Sequence, residues 1–303
     1  MAPVTAAYRL GSLLARWLPA FVIDGVVALG ARLAVRLSPG RALIAGRNLA
    51  RAQGRPPATG ASRRDVVALF GAYGRYWAES FRLPSLSPAV VDAGFDVTGY
   101  GHVARALAGG RGPILVLPHL GGWEWAAFWL TGVLGLRVTV VVEDIEPPDL
   151  REFFLGLRES LGMEVVVLGP DAGTAVSAAI RRGDIVCLLA DRDIEGTGVP
   201  VEFFGETTTL PGGPAVLALR TGAALLPSAV YFDGARHHAV VRPPLPVERR
   251  DGFRADVARV TAALAGELEE LVRAAPEQWH LLQPNWPSDH EALEAARHGD
   301  GHH

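Results

Sequence analysis

From residue 113 onward the chain alternates short, unbroken apolar runs with helical stretches, and no other feature of the sequence limits its fold so tightly. The runs are PILVLP (113–118), RVTVVVE (137–143), EVVVL (164–168) and DIVCLLA (184–190). Between them lie helical patterns near 122–135, 148–162 and 173–182. Strands that are apolar on both faces, joined by helical crossovers, predict an α/β fold with a mainly parallel sheet covered by helices on both sides. Further on, VPVEFF (199–204) reads as β-rich and 213–222 as helical. LLPSAVYFD (225–233) and HHAVVRPPL (237–245) read as a hairpin turning at Gly234 and Ala235, and a long helix is expected over about 253–274.

The N-terminal part has another character. Residues 5–18 place Leu10, Leu13, Leu14, Trp17 and Leu18 on one helical face and Arg9, Ser12 and Arg16 on the other. Pro19 ends that helix, and a second, about 21–37, groups Val22, Val26, Leu29, Leu33 and Leu37. Residues 1–64 hold ten arginines against one acid, Asp24, a net charge of +9 in a chain whose total is −3. A basic, apolar segment on an acidic body points to an anionic membrane surface as partner. The alternative is that both apolar faces pack on the protein's own core, and a mixture is expected. Arg16, Asp24, Arg32 and Arg36 break every run that could span a bilayer, so the protein is expected to lie on the membrane without crossing it. Signal-peptide features are not seen. Residues 53–62 read as a loop, and Ser62 with Asp65 reads as the cap of a helix running to about Phe81. The expected organisation is a helical extension (1–60), one α/β domain (61–290) and a polar, disordered tail (291–303). The single cysteine, Cys187, excludes a disulfide or zinc-finger framework.

Chemistry gathers where apolar runs end. Run 113–118 leads into His119-Leu120-Gly121-Gly122-Trp123-Glu124. In open parallel sheets ligands bind beyond the carboxyl ends of the strands. A carboxylate five residues on can fold back to hold the imidazole Nδ1–H and free Nε2 to take a proton, which makes His119 a candidate base and Glu124 its orienter. A structural histidine capping the helix fits the same residues. Run 184–190 ends in Asp191-Arg192-Asp193. Arg192 suits a phosphate or a thioester carbonyl, and Asp191 suits support of His119 or of an acceptor hydroxyl; a surface salt-bridge cluster is the alternative. Gly212 and Gly213 before Pro214 open a helix whose bare N–H groups suit an anion, or form an ordinary loop. Arg158 suits a phosphate, or is a solvated surface arginine. His237 and His238 read as structural, and no metal site is expected.

His119-x4-Glu124 resembles the HX4D/E signature of glycerolipid and lipid A acyltransferases. YGRYWAESFRLP (73–84), RESLG (158–162), VCLLADRD (186–193), GVPVEFFGE (198–206), TGAALLP (221–227) and WHLLQPNW (279–286) together resemble the actinobacterial phosphatidylinositol mannoside acyltransferases, over roughly residues 60–286. The resemblance implies transfer of a palmitoyl-like chain from acyl-CoA, a co-substrate with no further cofactor, to a mannose hydroxyl of such a glycolipid. It places the reaction at the cytoplasmic face of the plasma membrane. It implies His119 as base, Glu124 as its partner, and Arg158 and Thr197 as contacts to the CoA part. Glu143, Arg192, Gly212 and Gly213 complete the candidate substrate-binding set, and Asp191 joins the candidate catalytic one. The chain departs from that family in carrying Asp191, one methylene short of the family's glutamate, and Asp144 in place of an arginine. Lipid A-type and glycerolipid acceptors stay open, as do a non-catalytic lipid-binding or transfer protein and a hydrolase, although no G-x-S-x-G elbow is present.

Overall fold

A computed structural model describes residues 3–194 and 196–299. The chain opens with helices α1 (Pro3–Trp17), α2 (Ala20–Leu37), α3 (Pro39–Ala52), α4 (Arg63–Arg82) and α5 (Pro88–Ala93). Strand β1 (Phe95–Thr98), helix α6 (Tyr100–Ala108) and strand β2 (Ile114–Leu117) follow. Helix α7 (Trp123–Phe128) widens into a π turn over Trp129–Val133 before β3 (Val138–Val142). Then come α8 (Pro148–Glu159), β4 (Met163–Val167), α9 (Ala172–Arg182) and β5 (Ile185–Leu189). The hairpin of β6 (Val199–Phe203) and β7 (Glu206–Leu210) leads to α10 (Gly213–Thr221). Strands β8 (Leu225–Asp233) and β9 (Arg236–Val241), then α11 (Phe253–Arg273) and α12 (Pro287–Gly299), complete the fold.

Seven strands form one sheet in the order β1-β9-β8-β2-β5-β3-β4. Every neighbouring pair is parallel except β8 with β9, the hairpin expected around Gly234. The continuous apolar runs are explained by burial on both faces. Ile114, Val116, Val186 and Leu188 face a core shared with α9, α10 and α11. Leu115, Leu117, Ile185 and Cys187 face the opposite core, built from α4 to α7. Ser62 caps α4 as its spacing predicts, its hydroxyl accepting from the Asp65 amide at 3.2 Å. Strand β1, helices α3, α5 and α6, and strand β7 have no counterpart in the sequence reading.

Two findings revise the view of the chain's ends. Arg47 and Arg51, counted in the basic N-terminal segment, are not surface charges. Arg47 donates to Asp289 at 2.6 Å and to Ser288 at 2.7 Å, and Arg51 pairs with Glu206 at 2.8 Å and Asp289 at 2.9 Å. Arg51 also lies over the Trp286 ring at 3.9 Å. Helix α3 is therefore fastened to α12 and β7 by buried ion pairs. The tail expected from 291 begins inside α12, because Asp289 in its first turn is held by those arginines; residues 300–303 lie outside the described residues.

Helices α1 and α2 pack on α4 yet keep a broad apolar face exposed, with Trp17 at 84 %, Leu37 at 79 % and Phe21 at 76 %. No helix among the described residues is long and apolar enough to cross a membrane. Asp289 is completely buried between two arginines, so losing one of them removes a charge-assisted hydrogen bond while Arg51 still balances the carboxylate. Arg47→Leu is expected to lower unfolding free energy by about 1.5–3 kcal/mol, read as a shift of the urea midpoint at unchanged slope.

Candidate active site

The centre of the site follows from strand register. Leu117 of β2 lies beside Leu189 of β5 in a parallel ladder, so two residues further on His119 meets Asp191. The imidazole Nδ1 is 2.6 Å from Asp191 Oδ1. The other carboxylate oxygen accepts the His119 amide at 3.0 Å and the Trp279 indole N–H at 2.8 Å. Asn285 donates to the Asp191 carbonyl at 3.2 Å. Asp191 is completely buried, whereas the His119 side chain keeps 30 % of its surface exposed. Burial raises the proton affinity of Asp191, but the adjacent imidazole and the three donors outweigh it, and its carboxyl is held below the ordinary value of 3.8. A charged Asp191 fixes the tautomer with Nδ1–H inward and leaves Nε2 as the free base.

The turn after His119 demands glycine. Gly121 has φ +59°, and a Cβ there would stand 1.8 Å from the Val230 carbonyl oxygen. A Cβ on Gly122 would meet the His237 ring at 2.9 Å. This turn carries the chain away from the imidazole before α7 begins, which corrects the expected pairing of His119 with Glu124. Glu124 is buried instead among α4, α7 and α8. It accepts from the Tyr76 hydroxyl at 2.7 Å, from Arg158 at 3.2 Å and from Ser80 at 3.5 Å. Burial raises the Glu124 pKa, opposed by Arg158 and by the Tyr76 hydrogen bond. Burial first, and then the neighbouring Glu124, push the Tyr76 phenol well above its usual range.

The other predicted residues are distributed around this centre. Arg192 pairs with Glu143, which follows β3, so both stand at the carboxyl edge next to Asp191. Arg158 is not a solvated surface arginine: its side chain is 13 % exposed and lies over Trp123 at 5.3 Å. Both Arg158 and Arg192 retain a buried Nε–H with no protein partner. Asp193 holds its loop through the Gly196 and Gly198 amides and the Thr209 hydroxyl. Thr197 is exposed in that loop. Gly212 answers to packing, since a Cβ there would stand 3.0 Å from Val199 and 3.4 Å from Val257, while Gly213 faces open space. Asp144 pairs with Arg151 at 2.5 Å, so the acid standing in place of an arginine is balanced locally. His237 is structural, stacked on Trp125 at 4.1 Å and bonded to Glu79 at 2.8 Å.

Sequence reasoning missed what segment 279–285 does. Besides the Trp279 and Asn285 bonds to Asp191, the His280 amide donates to the His119 carbonyl at 2.7 Å. The His280 ring is buried beside Tyr73 and Tyr76, and burial, then the neighbouring His119, drives its pKa down to about 3. It stays neutral and does not compete for the proton. Its signals in the sequence were the family-like run WHLLQPNW and the ring N–H groups that run carries at Trp279, His280 and Trp286.

A small apolar cavity of about 40 Å³ lies between the sheet and helices α6 and α7. Leu117 and Trp123 are among its lining residues, and Cys187 lies in its wall. Burial pushes the Cys187 thiol up to about 12, which leaves no thiolate for nucleophilic attack.

A histidine held by a buried carboxylate at a strand end is an arrangement able to do proton-transfer chemistry. The model of the bacterial lipid A biosynthesis acyltransferase family matches residues 3–288. The chain belongs to this family. It is 40 % identical to the phosphatidylinositol mannoside acyltransferase of Mycobacterium tuberculosis (strain H37Rv) over 288 residues, covering 93 % of this chain and 88 % of the relative. It is also 40 % identical to the phosphatidylinositol mannoside acyltransferase of Mycolicibacterium smegmatis over 296 residues, covering 96 % and 94 %. This member of the lipid A biosynthesis acyltransferase family is an acyltransferase enzyme.

Two isosteric variants separate the two acids. Asp191→Asn is expected to lower kcat about 10³-fold or more through the wrong tautomer, and Glu124→Gln at least about tenfold less, because it does not touch the imidazole. The reverse order in steady-state kinetics would return Glu124 to His119. A carboxyl pKa lowered by folding contributes stability above the unfolded value and loses it as pH falls through the folded one. The stability difference between wild type and Asp191→Asn is therefore expected to hold at neutral pH and to shrink only below the ordinary 3.8.

Proposed function

We propose that the enzyme transfers a long fatty acyl chain from acyl-CoA to a mannose hydroxyl of a phosphatidylinositol mannoside, with His119 as general base. The observation that carries this reading is the 2.6 Å bond between His119 Nδ1 and the buried Asp191, in a histidine whose side chain keeps 30 % of its surface exposed. The name shared by the relatives supports the acceptor. In this reading the acyl-CoA binds at the carboxyl edge of the sheet with its thioester carbonyl beside His119. Nε2 of His119 takes the proton of the acceptor hydroxyl as that oxygen attacks the thioester carbonyl. Charged Asp191 stabilises the imidazolium, the tetrahedral oxyanion collapses, and the CoA thiolate leaves and takes up the proton. The three amides after His119 already donate to the Pro118, Gln278 and Val230 carbonyls, so the oxyanion donor in this reading is Arg192. Arg158, Glu143 and Thr197 serve the CoA part. No acyl-enzyme and no cofactor beyond the acyl-CoA co-substrate is required.

The acceptor is a membrane lipid, and the exposed face of α1 and α2 fits its surface. Leu10, Leu13, Trp17, Phe21 and Leu37 project there beside Arg9, Arg16, Arg32 and Arg36. Apolar side chains flanked by arginine suit peripheral binding to an anionic bilayer. Use of acyl-CoA places the enzyme on the cytoplasmic face of the plasma membrane.

Wild type is expected to transfer label from radiolabelled palmitoyl-CoA to a phosphatidylinositol mannoside, and His119→Ala to lose at least about 10²-fold. CoA release without labelled lipid would point to hydrolysis or to another acceptor, and full activity in the variant would end the role of His119 as base. Replacing Trp17 and Phe21 together by serine is expected to reduce co-sedimentation with anionic vesicles about tenfold or more while leaving the melting temperature in place.

A further inference from the structure

The two oxygens of Asp191 are held differently. Oδ1 faces His119 Nδ1 at 2.6 Å. Oδ2 accepts two donors, the His119 amide at 3.0 Å and the Trp279 indole N–H at 2.8 Å. A carboxylate has a soft torsion about its Cβ–Cγ bond. One donor on Oδ2 leaves that torsion free to swing, whereas two donors from different directions fix the carboxylate plane. The His119 amide belongs to the residue being oriented, so it moves with it. The indole is an outside reference, 88 positions away in the chain.

That reference is rigid. Trp279 is completely buried, with its ring packed on Phe204 at 5.3 Å and edge-on to Phe203 and Trp286 at 6.2 and 6.4 Å. Its backbone forms an antiparallel bridge with Leu120, directly after His119. On either side, the Gln278 carbonyl accepts from the Gly121 amide at 3.1 Å, and the His280 amide donates to the His119 carbonyl at 2.7 Å. The Gln278 side chain brackets Phe232 of β8, accepting from its amide at 2.7 Å and donating to its carbonyl at 3.1 Å. Buried indoles usually find an acceptor. Trp125 and Trp286 use main-chain carbonyls, those of Val91 and Phe203, both at 3.1 Å. Trp279 is aimed instead at a buried charge.

We propose that Trp279 is a positioning residue of the reaction, whose indole N–H fixes the plane of the Asp191 carboxylate and through it the aim of the His119 imidazole. The proposal rests on the reading that His119 is the base. Without the N–H, Asp191 turns about Cβ–Cγ, the bond to Nδ1 loses its alignment, and Nε2 spends less time facing the acceptor hydroxyl. The loss falls on turnover rather than on substrate binding, because a completely buried indole touches neither substrate.

The test replaces Trp279 by benzothienylalanine, in which sulfur stands for the indole N–H at nearly unchanged shape, in the wild-type chain and in Asp191→Asn. Steady-state transfer from palmitoyl-CoA to a phosphatidylinositol mannoside is measured for each. In the wild-type background kcat is expected to fall about 10- to 100-fold, the scale of a misplaced catalytic group, with both KM values within about twofold. In Asp191→Asn the same replacement is expected to change kcat less than about twofold, because groups that act as a unit are not additive. An unchanged kcat in the wild-type background, or equal losses in the two backgrounds, would mean that Trp279 only packs and overturns the proposal. If Asp191→Asn alone keeps the wild-type kcat, the His119–Asp191 pair is not the base, and the proposed mechanism fails along with the role of Trp279. Should the isostere fail to fold, Trp279→Phe, which keeps a ring and removes the N–H, must give the same kcat loss and the same disappearance of that loss in Asp191→Asn; equal losses again count against positioning.

Discussion

The parallel ladder between β2 and β5 is the constraint on which the centre depends. Its register sets Leu117 beside Leu189, and this alone brings a histidine and an aspartate 72 positions apart into hydrogen-bond contact. Burying a carboxylate is costly unless its oxygens are satisfied. Here the imidazole, a backbone amide and an indole meet that need, and all three depend on the strand edge and on segment 279–285 holding position. The aromatic packing of Trp279 on Phe204 and Trp286 thus has a consequence in the site: it aims an N–H at Asp191.

The two faces of the sheet are put to different uses. The face shared by α9, α10 and α11 is closed by large buried side chains such as Trp279, Trp286 and Phe203. The face under α6 and α7 keeps a cavity. Strand alternation lets one residue serve each face: Val186 and Leu188 fill the closed core while Cys187 lines the open one.

Much of this was legible in the sequence because the signals were local. Apolar runs bounded by helical patterns marked β2, β3, β4 and β5, Gly234 marked the hairpin, and His119 stood out at a strand end before two glycines. What was not legible depended on register or on long-range pairing. Strand β1, FDVT, is four residues at a sheet edge and carries no apolar run. The partner of His119 was sought five residues downstream because sequence shows helical proximity but not which strands adjoin. Asp191 was noticed only as one of two possible supports. Arg47 and Arg51 counted as surface charge because nothing near them in sequence neutralises them; their partners lie in β7 and α12.

That last pairing bears on how the chain is made. Arg47 and Asp289 are 242 residues apart, so the N-terminal helices emerge long before their fastening exists. At ordinary synthesis rates the delay is on the order of 10–50 s. For that interval α3 carries unpaired arginines, and α1 and α2 present an apolar, basic face with no finished body behind it. A nascent chain in this state resembles a membrane-seeking peptide more than a folded enzyme. Completion of the C-terminal helix, rather than any event at the N-terminus, ends that interval.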